Sequence, residues 1–495
     1  MQLTLDREDR ARENTSGFWY STRTGARVIL ESTTVRAVLL SCLAGLILAV
    51  LILVLGLKAL PIVFALVFVL PWLMKDSFRL FLWLIVTWPL LTLFVRIPMP
   101  GGIPDISYDR VLVLLIVSLI LIDALLSKGQ LEKATLLDIL VILYVAAQIG
   151  TRLHVMWFGG MGNADLNGFL DIILIPLMLY WAAKNLATSD ERLQWLLYGL
   201  VIAALVILPT GLIEQALGVR IFRASLSMGG SEVNYQWQDA QGRLRAAGAL
   251  ANPAIYGAVL GMGSLAGICC LPLVKRRLAR AALLAGIAVL LYGVFACYTR
   301  SAWLSVLAVL FAAQFFVDGL WKKTLPIAIL GALLLLLLWN MIPDNANIVE
   351  RALNTKTVGQ RLDLMSIGLA RFLEKPMTGW GAGAMNIFGS IGEGNTSHNV
   401  YLTFLVDGGV VLLVSFLAIV GRLLTRSVRI YGATAGSSLQ RNVLVAMTGN
   451  LLIFLLSGMA LELRYFGYFN ALFWISAGVI DRLGTRLGGE ATADG

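Results

Sequence analysis

The chain has 495 residues, 58% of them hydrophobic and 14% charged, with a formal net charge of +10. Apolar runs long enough to cross a bilayer recur along its whole length, and a water-soluble domain could not hide that much apolar surface. No nucleic acid is needed to explain the charge, because excess Lys and Arg on the cytoplasmic side is the usual pattern of a membrane protein.

The fold class that follows is all-α, a polytopic transmembrane helical bundle. Residues 1–33 are polar and of mixed sign, and read as a cytoplasmic N-terminal tail. The first apolar run starts late and no small-residue cleavage site follows it, which argues against a cleavable signal peptide. Candidate spans fall at roughly 34–56, 59–74, 78–95, 110–126, 135–152, 168–186, 192–217, 252–273, 279–298, 301–318, 324–342, 399–421, 443–461 and 464–481. The first two can form a re-entrant hairpin, so about 12–14 spans are expected within a single transmembrane domain, 34–482. Residues 483–495 form a second cytoplasmic tail. Lys and Arg concentrate in alternate connections, including Lys75, Lys128, Lys184, Arg276, Lys322 and Arg426, which places these connections and both termini in the cytoplasm. The opposite connections hold mostly Arg, and one of them, 343–398, is long, with a helix expected over about 358–373.

Cys42, Cys269, Cys270 and Cys297 all fall inside apolar runs and read as small apolar side chains. With two histidines in the chain and no Cys/His spacing, neither a metal site nor a cofactor is expected.

Four external segments carry candidate chemistry. Arg243 and Arg245 precede Asn252-Pro253, a natural helix start with Asn252 as cap and Pro253 in the first turn; they suit an anion or, equally, lipid headgroups. Arg300 sits in the short break Tyr298-Thr299-Arg300-Ser301, where an ionisable residue held at the membrane is costly and usually functional or paired. Arg361 lies on the helix of the long loop, ahead of the Gly-rich run Pro376-Met377-Thr378-Gly379-Trp380-Gly381-Ala382-Gly383. Gly392 to Gly409 begins as a polar loop and becomes an apolar helix, with His398 and Asn399 at the junction and Thr396 or Ser397 as possible caps. The helix dipole there disfavours protonated His398 and leaves a neutral imidazole fit for a general base; the bland alternative is a helix cap in which His398 bonds a neighbour. Asp407 lies too far along the same helix to orient His398 and reads as a local break or packing site. Glu462 and Arg464, at a later hairpin, either meet the site or form a simple ion pair. His154 reads as an interfacial aromatic-belt residue.

Together, Arg245…Gly248…Asn252-Pro253, Thr299-Arg300-Ser301, Arg361…Pro376…Gly379…Gly381 and His398-Asn399-Val400-Tyr401-Leu402 resemble the O-antigen ligase and O-antigen polymerase family of bacterial inner-membrane proteins, over about residues 240–480. The resemblance implies transfer of a glycan from a polyprenyl diphosphate carrier to an acceptor sugar at the periplasmic face, without a nucleotide sugar or metal. The acceptor is lipid A–core in the ligases and another carrier-linked repeat unit in the polymerases. Membrane lipid and other polysaccharide-assembly proteins are the further partners implied. The residues fit the transfer chemistry, with His398 as the catalytic base for the acceptor hydroxyl, Arg245, Arg300 and Arg361 as diphosphate-binding groups, and Arg243, Asn399 and Glu462 in support. The family usually has Glu where this chain has Asp407. A repeat-unit polymerase is the first expectation and a ligase the second. An anionic-solute transporter is a third reading, although transporters place their ionisable residues at the midplane. A scaffold would leave the external arginines without a role.

Overall fold

The computed structural model describes residues 75–92, 96–97, 99, 104–126, 131–158, 166–221, 244–317, 356–385, 398–434, 437–464 and 466–493. The expected spans at 34–56, 59–74 and 324–342 lie outside them. The chain divides into two compact units. One comprises residues 1–80 and 119–130, of which the ends of two helices are described; the other comprises 81–118 and 131–495.

Helices in chain order are α1 (Ser77–Leu91), α2 (Tyr108–Leu125), α3 (Leu136–Trp157), α4 (Leu166–Leu186), α5 (Asp190–Leu217), α6 (Pro253–Cys270), α7 (Arg277–Ala296), α8 (Arg300–Phe316), α9 (Lys356–Glu374), α10 (Val400–Ala433), α11 (Ser438–Gly458) and α12 (Gly467–Ala493). The only strands among the described residues are β1 (Arg96–Ile97) and β2 (Ile106–Ser107), paired antiparallel. Among the described residues, seven helices (α3–α7, α10 and α11) are long and apolar enough to cross a membrane. The all-α expectation therefore holds, and the helix expected at 358–373 is present as α9. Helices α10 and α12 run about a dozen residues past the expected ends of their spans.

Local chemistry sets the helix starts. Ser189 and Ser437 cap α5 and α11 by accepting from backbone N–H groups of the first turn. Asn252 Oδ1 accepts from Ala254 N at 2.9 Å and Ile255 N at 3.3 Å, with Pro253 at the first helical position. Within the second unit, α6 is the most buried helix, and small residues let its neighbours close on it. A side chain at Gly257 would meet Cys297 and Ala302, one at Gly261 would meet Val306, and one at Gly449 would meet Leu265 and Val309. These contacts make α6 and α8 parallel and α11 antiparallel to both. Ser457 and Ser305 share a hydrogen bond of 3.1 Å.

That arrangement gathers one end of the bundle. Gly458, at the end of α11, lies against Val400 at the start of α10, and Tyr401 donates to Leu455 O at 2.8 Å. Ala246 N donates to Ala296 O at 3.2 Å, joining the segment before α6 to the end of α7. The N-termini of α6, α8 and α10 therefore share this end with the C-termini of α5, α7 and α11.

The opposite end holds a buried ion cluster that the sequence reading did not anticipate. Asp481 is fully buried and accepts from Lys184 Nζ at 2.8 Å, Arg426 Nη1 at 2.7 Å and Tyr180 Oη at 3.2 Å. Lys184 also bonds Asp138. Lys184 and Arg426, counted among the cytoplasmic-side cations, are thus buried partners of carboxylates.

Candidate functional site

The gathered end is built on three strained junctions. Among the described residues, Ala251 (φ 57°), Tyr298 (φ 47°) and His398 (φ 49°) are the non-glycine residues in the left-handed region. Each sits immediately before the N-cap of a helix: Asn252 for α6, Thr299 for α8 and Asn399 for α10. Such backbone costs of order 1–3 kcal/mol per residue and clusters at functional sites. Here it turns the chain sharply so that the residue beside each cap is held against the helix start.

Asn399 caps α10, accepting from Tyr401 N at 3.0 Å and Leu402 N at 3.1 Å. The helix begins one residue later, so neither Thr396 nor Ser397 is its cap; both lie outside the described residues. Asn399 is thereby a positioning residue that fixes the entry of α10 below His398.

Arg245 docks on the turn between α7 and α8. Its Nε donates to Cys297 O at 3.2 Å, and its Nη2 donates to Thr299 Oγ1. Thr299 makes no side-chain cap of its own helix; its hydroxyl donates to Cys297 O at 2.9 Å and receives Arg245. Arg245 is thus fixed one residue from Arg300. The turn is braced by Trp303, which stacks on Phe295 at 5.6 Å between centroids and donates to Val294 O at 2.9 Å. The segment carrying Arg245 is held by Glu214, fully buried in α5, which accepts from Arg220 Nη1 at 2.7 Å, Ile221 N at 2.9 Å and Gly248 N at 3.0 Å. Arg220 in turn donates to Arg245 O at 2.9 Å.

Arg361 on α9 links the rest. Burial, and then repulsion from Arg300, lower its pKa below the ordinary guanidinium value; the group remains a cation at neutral pH. Burial, and then the charge of Arg361, push the pKa of His398 down to about 4. The imidazole is therefore neutral at pH 7, as the sequence reading expected, but desolvation and a neighbouring cation are the causes. Arg300, Arg361 and His398 form one electrostatically connected group, and Arg245 is held next to it through Thr299. Arg243 lies outside the described residues.

The Gly-rich run after α9 enters a break in α10. Trp380 N and Gly381 N donate to Val406 O and Asp407 O at 2.8 and 2.9 Å, and Val410 N donates to Pro376 O at 2.8 Å. Gly409 breaks the helix at φ 64°, and a Cβ there would lie 2.3 Å from Met377 O. Gly379, also at positive φ, approaches the Asp407 carbonyl too closely for any side chain. Asp407, almost fully buried, accepts from Gly383 N at 3.1 Å, Met385 N at 3.2 Å and Arg464 Nη2 at 3.0 Å. The structure bears out both the local break and the packing site expected at Asp407-Gly408-Gly409. Arg464 Nε also donates to Glu462 Oε1 at 2.8 Å. Glu462 joins this buried network through Arg464, so its described role is to hold the clamp that seats α9. His154 stacks on Phe158 at 6.2 Å between centroids, beside the same clamp.

Asp407→Ala leaves Arg464 with one carboxylate and orphans the buried N–H of Met385 and the partly buried N–H of Gly383. Removing one partner of a buried ion pair costs about 3–5 kcal/mol. A clearly lowered thermal midpoint is expected for the purified protein, measured by unfolding in detergent; an unchanged midpoint refutes the clamp.

The sequence reading missed Glu214 and Arg220, and named Thr299 only as part of the break at Arg300. Glu214 carried a usable signal, an acid inside an apolar span. Thr299 carried none, since its bond to Arg245 is not local.

Residues 285–417 match the family model described as O-antigen ligase. The match covers Arg300, Arg361, His398, Asn399 and Asp407, and leaves Arg245 and Glu462 outside it. No curated protein matches the chain.

Proposed function

We propose that this chain, a multi-pass membrane protein carrying an O-antigen ligase-family domain at residues 285–417, transfers a glycan from a polyprenyl diphosphate carrier to an acceptor sugar hydroxyl. The observation that carries the reading is the coupling of Arg300, Arg361 and His398, with Arg245 bonded to the residue before Arg300. Three guanidiniums provide oriented charge for a diphosphate leaving group. The neutral imidazole provides a proton acceptor. The acceptor oxygen attacks the anomeric carbon, and the bond from that carbon to the phosphate oxygen breaks. The carrier diphosphate leaves with the electron pair while His398 takes the hydroxyl proton and later releases it to water. One displacement inverts the anomeric configuration. The distribution of Lys and Arg along the chain supports an external, periplasmic placement of this end, as the bacterial inner-membrane location of the family implies.

A repeat-unit polymerase remains the first reading. The ligase, which would use lipid A–core as acceptor, is the second, and the family match supports either as a membrane glycan enzyme. A transporter of an anionic solute fits less well, because the cations cluster at helix N-termini at one end and not at a midplane site. A gel of surface polysaccharide from a deletion strain tests the reading. Single-repeat glycan on core marks a lost polymerase and free carrier-linked polymer a lost ligase. An unaltered pattern overturns both.

His398 also sets the pH profile. In the free protein it protonates only near pH 4, so the acid limb of kcat/KM should fall well below the usual histidine range. A bound diphosphate offsets the charge of Arg361 and favours the imidazolium, so the acid limb of kcat should lie at higher pH than that of kcat/KM. Initial rates from pH 4 to 8 check both. Coincident limbs near pH 6.5, the ordinary histidine value, would contradict this assignment.

A further inference from the structure

Helix α9 is divided into three sectors. Leu364 and Gly368 face the bundle, where Gly368 packs against Leu402 and leaves no room for a side chain; Ile367 and Phe372 flank them in the cluster with Leu402, Val406 and Met385. Asp363, Ser366, Ala370 and Glu374 form an exposed, largely polar face. Between these two lies a third sector, Leu362, Met365, Leu369 and Leu373, spaced three or four residues apart and therefore one ridge. All four are exposed, Leu373 at 66%. An apolar ridge of this length facing water would be a liability.

The depth of α9 says what covers the ridge. The segment that follows it docks on α3, an apolar helix long enough to cross the membrane. Ala382 N donates to Thr151 O at 3.2 Å, and Gly381 lies against Val155. The exposed side of α3 stays apolar beyond that point, through Met156, Trp157 and Phe158. Seven residues of helix separate Thr151 from Phe158, about 10 Å at 1.5 Å per residue. The docking point is therefore inward of the apolar end of a helix that faces lipid. Met377, exposed between α9 and this docking point, extends the ridge toward it. The turn carries an interfacial pair: Lys375 Nζ lies 4.0 Å from the centre of the Trp380 ring, and Trp380 donates to Arg371 O at 2.8 Å. Trp and Lys so placed mark the headgroup boundary.

We propose that α9 is an interfacial helix whose ridge of Leu362, Met365, Leu369 and Leu373, continued by Met377, lies in the acyl-chain border of the phospholipid leaflet beside the site. Its polar face points to water and its packed face to α10, the arrangement of an amphipathic helix seated in a membrane surface against protein. Arg361 lies at the edge between the packed face and the ridge. Under the transfer reading, which this one consequence rests on, a lipid-borne diphosphate moving along the leaflet meets Arg361 first.

The test reads lipid contact and does not depend on activity. The full chain carries Cys42→Ser, its cysteines at 269, 270 and 297 being buried. Single variants Met365→Cys, Leu369→Cys, Asp363→Cys and Glu374→Cys are labelled with bimane in nanodiscs. Lipids brominated on the upper acyl carbons should quench the probes at 365 and 369 several-fold more than those at 363 and 374, and aqueous iodide should show the reverse order. Equal iodide access at all four positions overturns the proposal. So does shielding at 365 and 369 that lacks bromolipid quenching, which would mean a second copy or another protein covers the ridge.

Discussion

His398→Ala is expected to reduce glycan transfer by about 10²–10⁴-fold, the usual contribution of a positioned acid or base, while the protein still inserts and accumulates normally. His398 has a left-handed backbone directly before the Asn399 cap, and His and Ala both carry a Cβ and meet a similar backbone cost there, so the change in stability of the variant should be small. His398→Gln keeps volume and polarity without a titratable proton acceptor, and should fail equally. Carrier binding, measured separately with polyprenyl diphosphate, should survive in both variants, because the guanidiniums remain. Normal surface polysaccharide from either variant would remove His398 from the chemistry and leave it the helix-entry residue of the bland reading.

The second large effect is expected at Arg300. Arg300→Lys keeps a positive charge at the start of α8 but loses the planar fork that grips two phosphate oxygens at once. Loss of an oriented donor to a developing oxyanion typically costs about 10²–10³-fold in kcat, and Arg300→Lys should fall in that range. The same change should relieve little of the repulsion on Arg361, since the charge persists. Arg300→Gln removes that charge, so it should raise the Arg361 pKa and weaken carrier binding. Near-wild-type turnover by the Lys variant would mean that the site needs only a positive field.

The fold class was legible because membrane spans are written in composition, and the helix starts because their caps are local. Asn252-Pro253 and the break at Thr299-Arg300 each announce themselves within a few residues, and the structure places both as expected. The cap at Asn399 was misassigned to Thr396 or Ser397 because all of these residue types cap helices, and only the backbone decides which one sits at the boundary. The seating of α9 was illegible for another reason. It depends on Trp380 and Gly381 bonding carbonyls freed by a helix break at Gly409, and hydrogen bonds between distant segments leave no periodicity. The buried acids Glu214 and Asp481 were visible as charges at the ends of apolar runs, but their partners were not. Charge counting consequently placed Lys184 and Arg426 on the cytoplasmic side without showing that they pair with buried carboxylates.

The proximity of Arg300, Arg361 and His398 was anticipated only through a resemblance spread over several weak segments. The structure gives it a physical basis, since each group perturbs the next. That convergence is the central claim. It is tested most directly by an experimental structure of the full chain in nanodiscs with a polyprenyl diphosphate bound. The account predicts both phosphates within hydrogen-bond reach of Arg245, Arg300 and Arg361, with His398 facing the position of the glycan's anomeric carbon. A diphosphate seated elsewhere in the bundle, with these four side chains turned away from it, would contradict the account.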